Sequence, residues 1–208
     1  MNLLYMLVVG SGALAVADDT PPRAVDTAIL GAGPADAWSA TIQGGYAWSS
    51  VRAKVGLTDR VALAASVDTA LFQRFEPEIG VSIAAVRTER FRLGVEALIG
   101  ATVQTPLLAR YGPAVHLRVV TGWTGPVVPY LALGSRHLLL IERTVITSSE
   151  GTRVDSEAQH AWTPGGTVGL GVPIGDRFGL DMGVDWYVVD EAFSIPGFHA
   201  GVHVGGGR

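Results

Sequence analysis

In the stretch FGLDMGVDWYVV, Phe178, Leu180, Met182, Val184, Trp186 and Val188 take every second position, and Gly179, Asp181, Gly183, Asp185, Tyr187 and Val189 sit between them. Strict two-residue alternation is the pattern of a β-strand, whose successive side chains point to opposite faces. A soluble sheet packs its apolar face on a core and covers its wet face with long polar side chains. Here the face opposite the apolar one carries mainly Gly and Asp. That face is the cramped one, and the bulky apolar face is unrestricted.

The same alternation recurs along the chain. Apolar and small or polar residues alternate over 38–46, 50–57, 61–68, 78–86, 91–100, 111–119, 129–137, 162–174 and 198–206. Counting the 178–189 stretch, this predicts ten strands, with eight as the alternative. Short connections fall at TDR (58–60), TER (88–90), WTG (123–125) and GDR (175–177). Longer, more polar connections are expected around 69–77, 101–110, 142–160 and 189–197, with a small loop at 47–49. Short turns on one side and long loops on the other are the layout of a membrane-spanning barrel. A lipid-facing sheet must close on itself, because no water is present to satisfy an open edge. Twelve residues at roughly 3.3 Å each span about 40 Å, and a tilt near 45° brings that to about 28 Å, the thickness of a hydrocarbon core. The expected fold class is therefore all-β: a closed antiparallel transmembrane barrel.

Composition agrees. Hydrophobic residues make up 48% of the 208 and charged residues only 16%, yet no uncharged stretch after residue 17 makes an apolar helical span. The longest such stretch with bulky residues, Val119 to Ser135, is broken by Gly and Pro. A net charge of −4 excludes an electrostatic grip on nucleic acid. The absence of Cys removes disulfide staples and thiolate metal sites. The start, with LLYMLVVG followed by AVA before Asp18, reads as a secretory signal over residues 1–17, though no basic residue precedes its apolar centre. Residues 18–36 read as an N-terminal linker and 37–208 as the barrel. Within the linker, DTAILGAGPADA imitates a dinucleotide-binding turn. Asp36 stands where that motif needs its third glycine, and no helical pattern follows, so the motif is rejected.

The signal-like start, the amphipathic strands, the GLTDR turn and the alternating connections resemble the small outer-membrane β-barrel proteins of Gram-negative bacteria. The resemblance covers roughly residues 37–206. It implies export, residence in the outer membrane after signal removal, contact with outer-membrane lipid and insertion by the barrel-assembly machinery. One departure is the ending HVGGGR, where such proteins usually carry a terminal aromatic residue.

The alternation also sorts the side chains. Phe178, Leu180, Met182, Val184 and Trp186 are expected to face lipid. Arg52, Lys54, Arg92, Arg118 and Arg136 are expected in the lumen with Asp68, Glu78, Glu96, Asp181 and Asp185. Five charges of each sign in a narrow barrel predict a salt-bridged network, since buried charges need partners. The expected role is a structural scaffold or an interaction role through the long connections. The alternatives are a small-solute pore or a barrel enzyme that hydrolyses lipid or peptide. His137, His160, His199 and Asp190 are the only candidates for catalysis, and no recognisable hydrolase motif surrounds them. No cofactor is expected. His199 and His203, four apart on a strand, are separated by about 13 Å of backbone, too far to share one metal ion.

Overall fold

The structure is a computed structural model that describes residues 23–31, 35–46, 48–70, 74–104, 110–148, 151–189 and 193–207. The expected signal segment lies outside them. Ten strands follow in order: β1 (Trp38–Gly45), β2 (Trp48–Gly56), β3 (Val61–Ala70), β4 (Arg74–Arg87), β5 (Phe91–Gln104), β6 (Arg110–Trp123), β7 (Val128–Ser148), β8 (Gly151–Ile174), β9 (Phe178–Val189) and β10 (Phe193–Gly206). Each pairs antiparallel with its sequence neighbour, and β1 pairs with β10 from Trp38↔Gly206 to Gly45↔His199, closing the barrel. The count of ten holds, and the fallback of eight falls away.

The faces are inverted relative to a soluble protein. Ile79, Ile99 and Met182 are 61%, 62% and 58% exposed on the outside, while Lys54, Glu76 and Arg136 are 4%, 0% and 2% exposed within. Phe178, Leu180, Met182 and Val184 lie on the exposed outer face, and Trp186 on the same face is half-buried. Aromatic side chains mark both ends of the outer surface, among them Trp38, Trp123 and Phe178 near the tight turns and Phe75 and Trp162 towards the far rim.

Two of the tight turns, TDR and TER, are built from their first residue. Thr58 Oγ1 accepts from the Val61 amide at 3.1 Å and Thr88 Oγ1 from the Phe91 amide at 2.9 Å, the local side-chain bond that lets threonine open a turn. We refer to this as the turn end.

The far side departs from expectation. Much of 69–77, 101–110, 142–160 and 189–197 is strand, not loop. β7 and β8 stay paired from Val128↔Gly171 to Ser148↔Gly151, whereas β6 reaches only Glu142 of β7 and β9 meets β8 first at Gly165. The two therefore rise as a ribbon above the rim. Along the β8 side, residues 152–160 are nearly all exposed whichever way they point, so that stretch shows no alternation to read.

The second departure is in the expected linker. Ala24–Leu30 forms a helix, α1, and all but one of its residues are buried. Arg23 Nε donates to Asp26 Oδ2 at 3.0 Å across the first turn, and Gly31 closes the helix at φ 114°, a conformation that favours glycine. The residues just ahead of Gly31 in the rejected motif are thus helical. The helix lies inside the barrel at the turn end, where the Ala24 amide donates to Asp176 O at 2.9 Å. Val25, Ile29 and Leu30 form an apolar cluster with Val120, Val128, Tyr130 and Ala132.

Candidate functional site

The lumen gathers most of the buried charged side chains among the described residues, and each strand delivers to it through its inward positions. At the turn end those positions are small: Ala62, Gly94, Gly122, Gly171, Gly179 and Gly205. They make room for α1. A Cβ added at Gly171 would stand 2.7 Å from Ile29 Cδ1, and one at Gly179 would stand 2.7 Å from Val25 Cβ. Lys54 Nζ donates to the Ala28 carbonyl at 3.0 Å and ties the helix to the wall.

Above the helix the lumen is filled by ion pairs. Arg136 is central: it binds Asp68 through Nη2, and its Nη1 donates to Glu76 Oε2 at 2.5 Å. Arg52 Nη2 adds a second contact to Asp68 Oδ2 at 3.3 Å, and Arg74 binds Glu76. Trp48 caps this group, with the Arg136 guanidinium 4.8 Å from its ring centroid and Tyr187 packed at 4.9 Å. A lower group joins Lys54 to Glu96, with Arg118 Nη1 at 3.6 Å from Glu96 Oε2.

A third group lies on the β8–β10 wall. Asp181 Oδ2 accepts from Gln43 Nε2 at 2.7 Å and from Tyr130 Oη at 3.1 Å. His199 bridges the two aspartates, with Nδ1 2.7 Å from Asp185 Oδ2 and Nε2 3.2 Å from Asp181 Oδ2. His203 Nε2 reaches Asp181 Oδ1 at 3.2 Å, so the two histidines share one carboxylate from opposite sides despite their separation along the strand. Thr167 Oγ1 donates to Asp185 Oδ1 at 2.6 Å.

All ten charged side chains expected in the lumen point into it, but they do not form one network. Glu96 and Asp181 belong to different groups. Arg92 lies at the turn end, apart from the Arg136 group. Sequence reasoning missed Arg74 and Glu76, which fell in a stretch taken as a loop; they add one charge of each sign. It also left Gln43, Tyr130, Thr167 and the inward histidines out of the network, although their strand parity already placed Gln43, Thr167, His116, His199 and His203 inside.

Of the catalytic candidates, His199 is part of the Asp181–Asp185 group. His137 and His160 stack on the outer face at 5.7 Å, with Trp162 6.3 Å from His137, and Ser135 Oγ lies 3.3 Å from His137 Nε2. Asp190 lies outside the described residues. Between the ion-pair groups a cavity of about 40 Å³, lined by Arg52, Asp68, His116, Arg118 and Asp185 among others, leaves room for a few waters.

Apolar without, charged within and closed on itself, the molecule is a β-barrel of the membrane-spanning type with an occupied lumen. No protein-family model matches the chain, and no curated protein sequence does. Solved structures similar in outline include the N-terminal β-barrel domain of Pseudomonas aeruginosa OprF, at 14% identity and TM-score 0.42, over 83% of this chain and 98% of that one. The KdgM porin in complex with disordered oligogalacturonate gives 10% identity and TM-score 0.42, over 81% and 98%. Neisserial surface protein A gives 17% identity and TM-score 0.33, over 81% and 94%.

Proposed function

We propose that the protein is an outer-membrane barrel whose lumen is sealed, and that it serves as a structural element presenting the β7–β8 ribbon beyond the membrane. The observation that carries this reading is α1, seated in the barrel with Val25 and Leu30 at 0% and 1% exposure beneath a layer of ion pairs. Two successive obstructions, the helix and the ion-pair layer, lie across the lumen among the described residues. The inverted surface supports residence in a bilayer: an exterior of Ile, Val, Leu and Met is stable against lipid and not against water. In this reading the N-terminal segment is removed on export, the chain is inserted by the barrel-assembly machinery, and the tight turns face the periplasm. The ribbon, free of β6 and β9 beyond Glu142 and Gly165, is the surface available to a partner.

Conductance of the purified protein in planar bilayers tests the seal. The intact barrel should hold the bilayer electrically tight. Steady ion-selective current would overturn the sealed reading in favour of a pore. Recovery as a soluble periplasmic protein, with no heat-modifiable band in detergent, would overturn the membrane reading itself.

A further inference from the structure

We infer that Asp68, Glu78 and His116 form a binding site in the lumen for a first-row divalent metal cation of the zinc class. One ligand atom from each lies within 4.8 Å of the others. The three residues come from β3, β4 and β6 and are 2%, 5% and 5% exposed. Asp68 Oδ1, Glu78 Oε1 and His116 Nδ1 have no hydrogen-bond partner among the described residues. Each of the three side chains thus keeps a buried atom without a hydrogen-bond partner, a cost to the fold that a shared cation would relieve.

The surroundings orient these atoms as an outer shell does. Arg52 and Arg136 hold Asp68 by its other oxygen, Oδ2. Ser66 Oγ donates to Glu78 Oε2 at 3.2 Å, and His116 Nδ1 stands 3.4 Å from that same oxygen. Glu78 pairs across β5 with Gly100, which carries no side chain, so its carboxylate can reach His116 on the next strand. Among the described ion pairs Glu78 has no guanidinium partner, unlike Asp68 and Glu76, so its carboxylate is the one left open to a cation. Asp68 and His116 also line the lumenal cavity, which gives an ion a way in and a place for water to complete its coordination. One imidazole nitrogen and two carboxylate oxygens suit Zn2+ or Mn2+, with Co2+ as a spectroscopic substitute.

The test uses the full chain, folded in detergent from chelator-treated stock. Zn2+ is titrated by calorimetry and Co2+ by visible absorption. The expected result is saturation at one ion per chain, with affinity falling about tenfold or more in Glu78→Gln and in His116→Ala. His137→Ala, on the outer face, should bind as wild type. The urea midpoint of the wild type should rise with Zn2+ and that of Glu78→Gln should not. Absence of saturable binding to millimolar Zn2+ and Co2+, or binding that survives Glu78→Gln, overturns the site. Should both variants fail to fold, X-ray absorption of the zinc-loaded wild type decides. A shell of oxygens with one imidazole supports the site. Two imidazoles would place the ion elsewhere, at His137–His160 or at His199–His203, and overturn it.

Discussion

The two halves of the lumen are filled by opposite means. At the turn end the wall gives way at Ala62, Gly94, Gly122, Gly171, Gly179 and Gly205, and a helix from elsewhere in the chain supplies the filling. Towards the far rim the wall carries its own filling, as long charged side chains that meet in the middle. The first half is held by shape: Val25, Ile29 and Leu30 pack where any added Cβ would collide. The second is held by charge, and its contacts survive only if both partners stay. A barrel of ten strands is too wide for small residues alone and too narrow to leave charges unpaired. The difference teaches that Gly and Asp on one strand face, as at Gly179 and Asp181, are two solutions to the same volume, used at different depths.

The charged half should be the more fragile. Arg136→Met leaves Asp68 with a single weak contact and Glu76 with Arg74 alone, and should cost about 3–5 kcal/mol, measured by urea unfolding in lipid vesicles. A loss below about 1 kcal/mol would mean that water already screens this layer as thoroughly as bulk solvent. Glu96→Ala frees Lys54 and Arg118 together and should cost a similar amount, somewhat reduced by the cavity water. If it instead left stability unchanged and shifted ion preference towards anions, the charged half would be a pore lining.

Both halves presuppose an apolar wall around them. Val184→Arg puts a charge on the outer face at mid-strand and should cost about 2–4 kcal/mol in the same assay. Unchanged folding would place this face away from the hydrocarbon. In the shape-held half, Gly179→Val drives two methyl groups into Val25 and should cost about 1–3 kcal/mol. Its sharper readout is protease access to the segment around Arg23, which should open while the barrel remains heat-modifiable. Should the segment stay protected, α1 is not held by fit. Smallest of all, Arg153→Ala removes an exposed ion pair to Asp155 on the ribbon, 2.7 Å long, and should change stability by less than about 0.5 kcal/mol.

The barrel wall was legible because lipid on one side and a crowded lumen on the other force a period of two with bulky apolar residues on one face and small or charged ones on the other. Strand number, closure and the inward direction of all ten charges followed from that parity alone. Partner choice did not follow, since parity fixes a face and not a depth. Glu96 and Asp181 share a face and never meet. Arg74 and Glu76 were lost because Pro77 and the polar residues beside it imitate a loop. The ribbon was lost because the β8 stretch 152–160, nearly all exposed, carries no alternation. The helix was lost for a different reason: AVDTAIL is too short to show a helical period. Its evidence lay far away, in the glycines of β5, β6, β8, β9 and β10 that clear its seat.

That seat sets the order in which the molecule can be completed. Ala24 is among the first described residues to leave the ribosome, but its amide partner Asp176 and its neighbour Gly205 are among the last. No early hairpin can shelter the helix, and its docking closes a loop of nearly the whole chain, among the slowest kinds of contact a polypeptide makes. The seat of the helix is therefore complete only when β10 meets β1. Sealing of the lumen and closure of the seam are then one late event, and a chain stalled before its final strand would be both open-edged and unplugged.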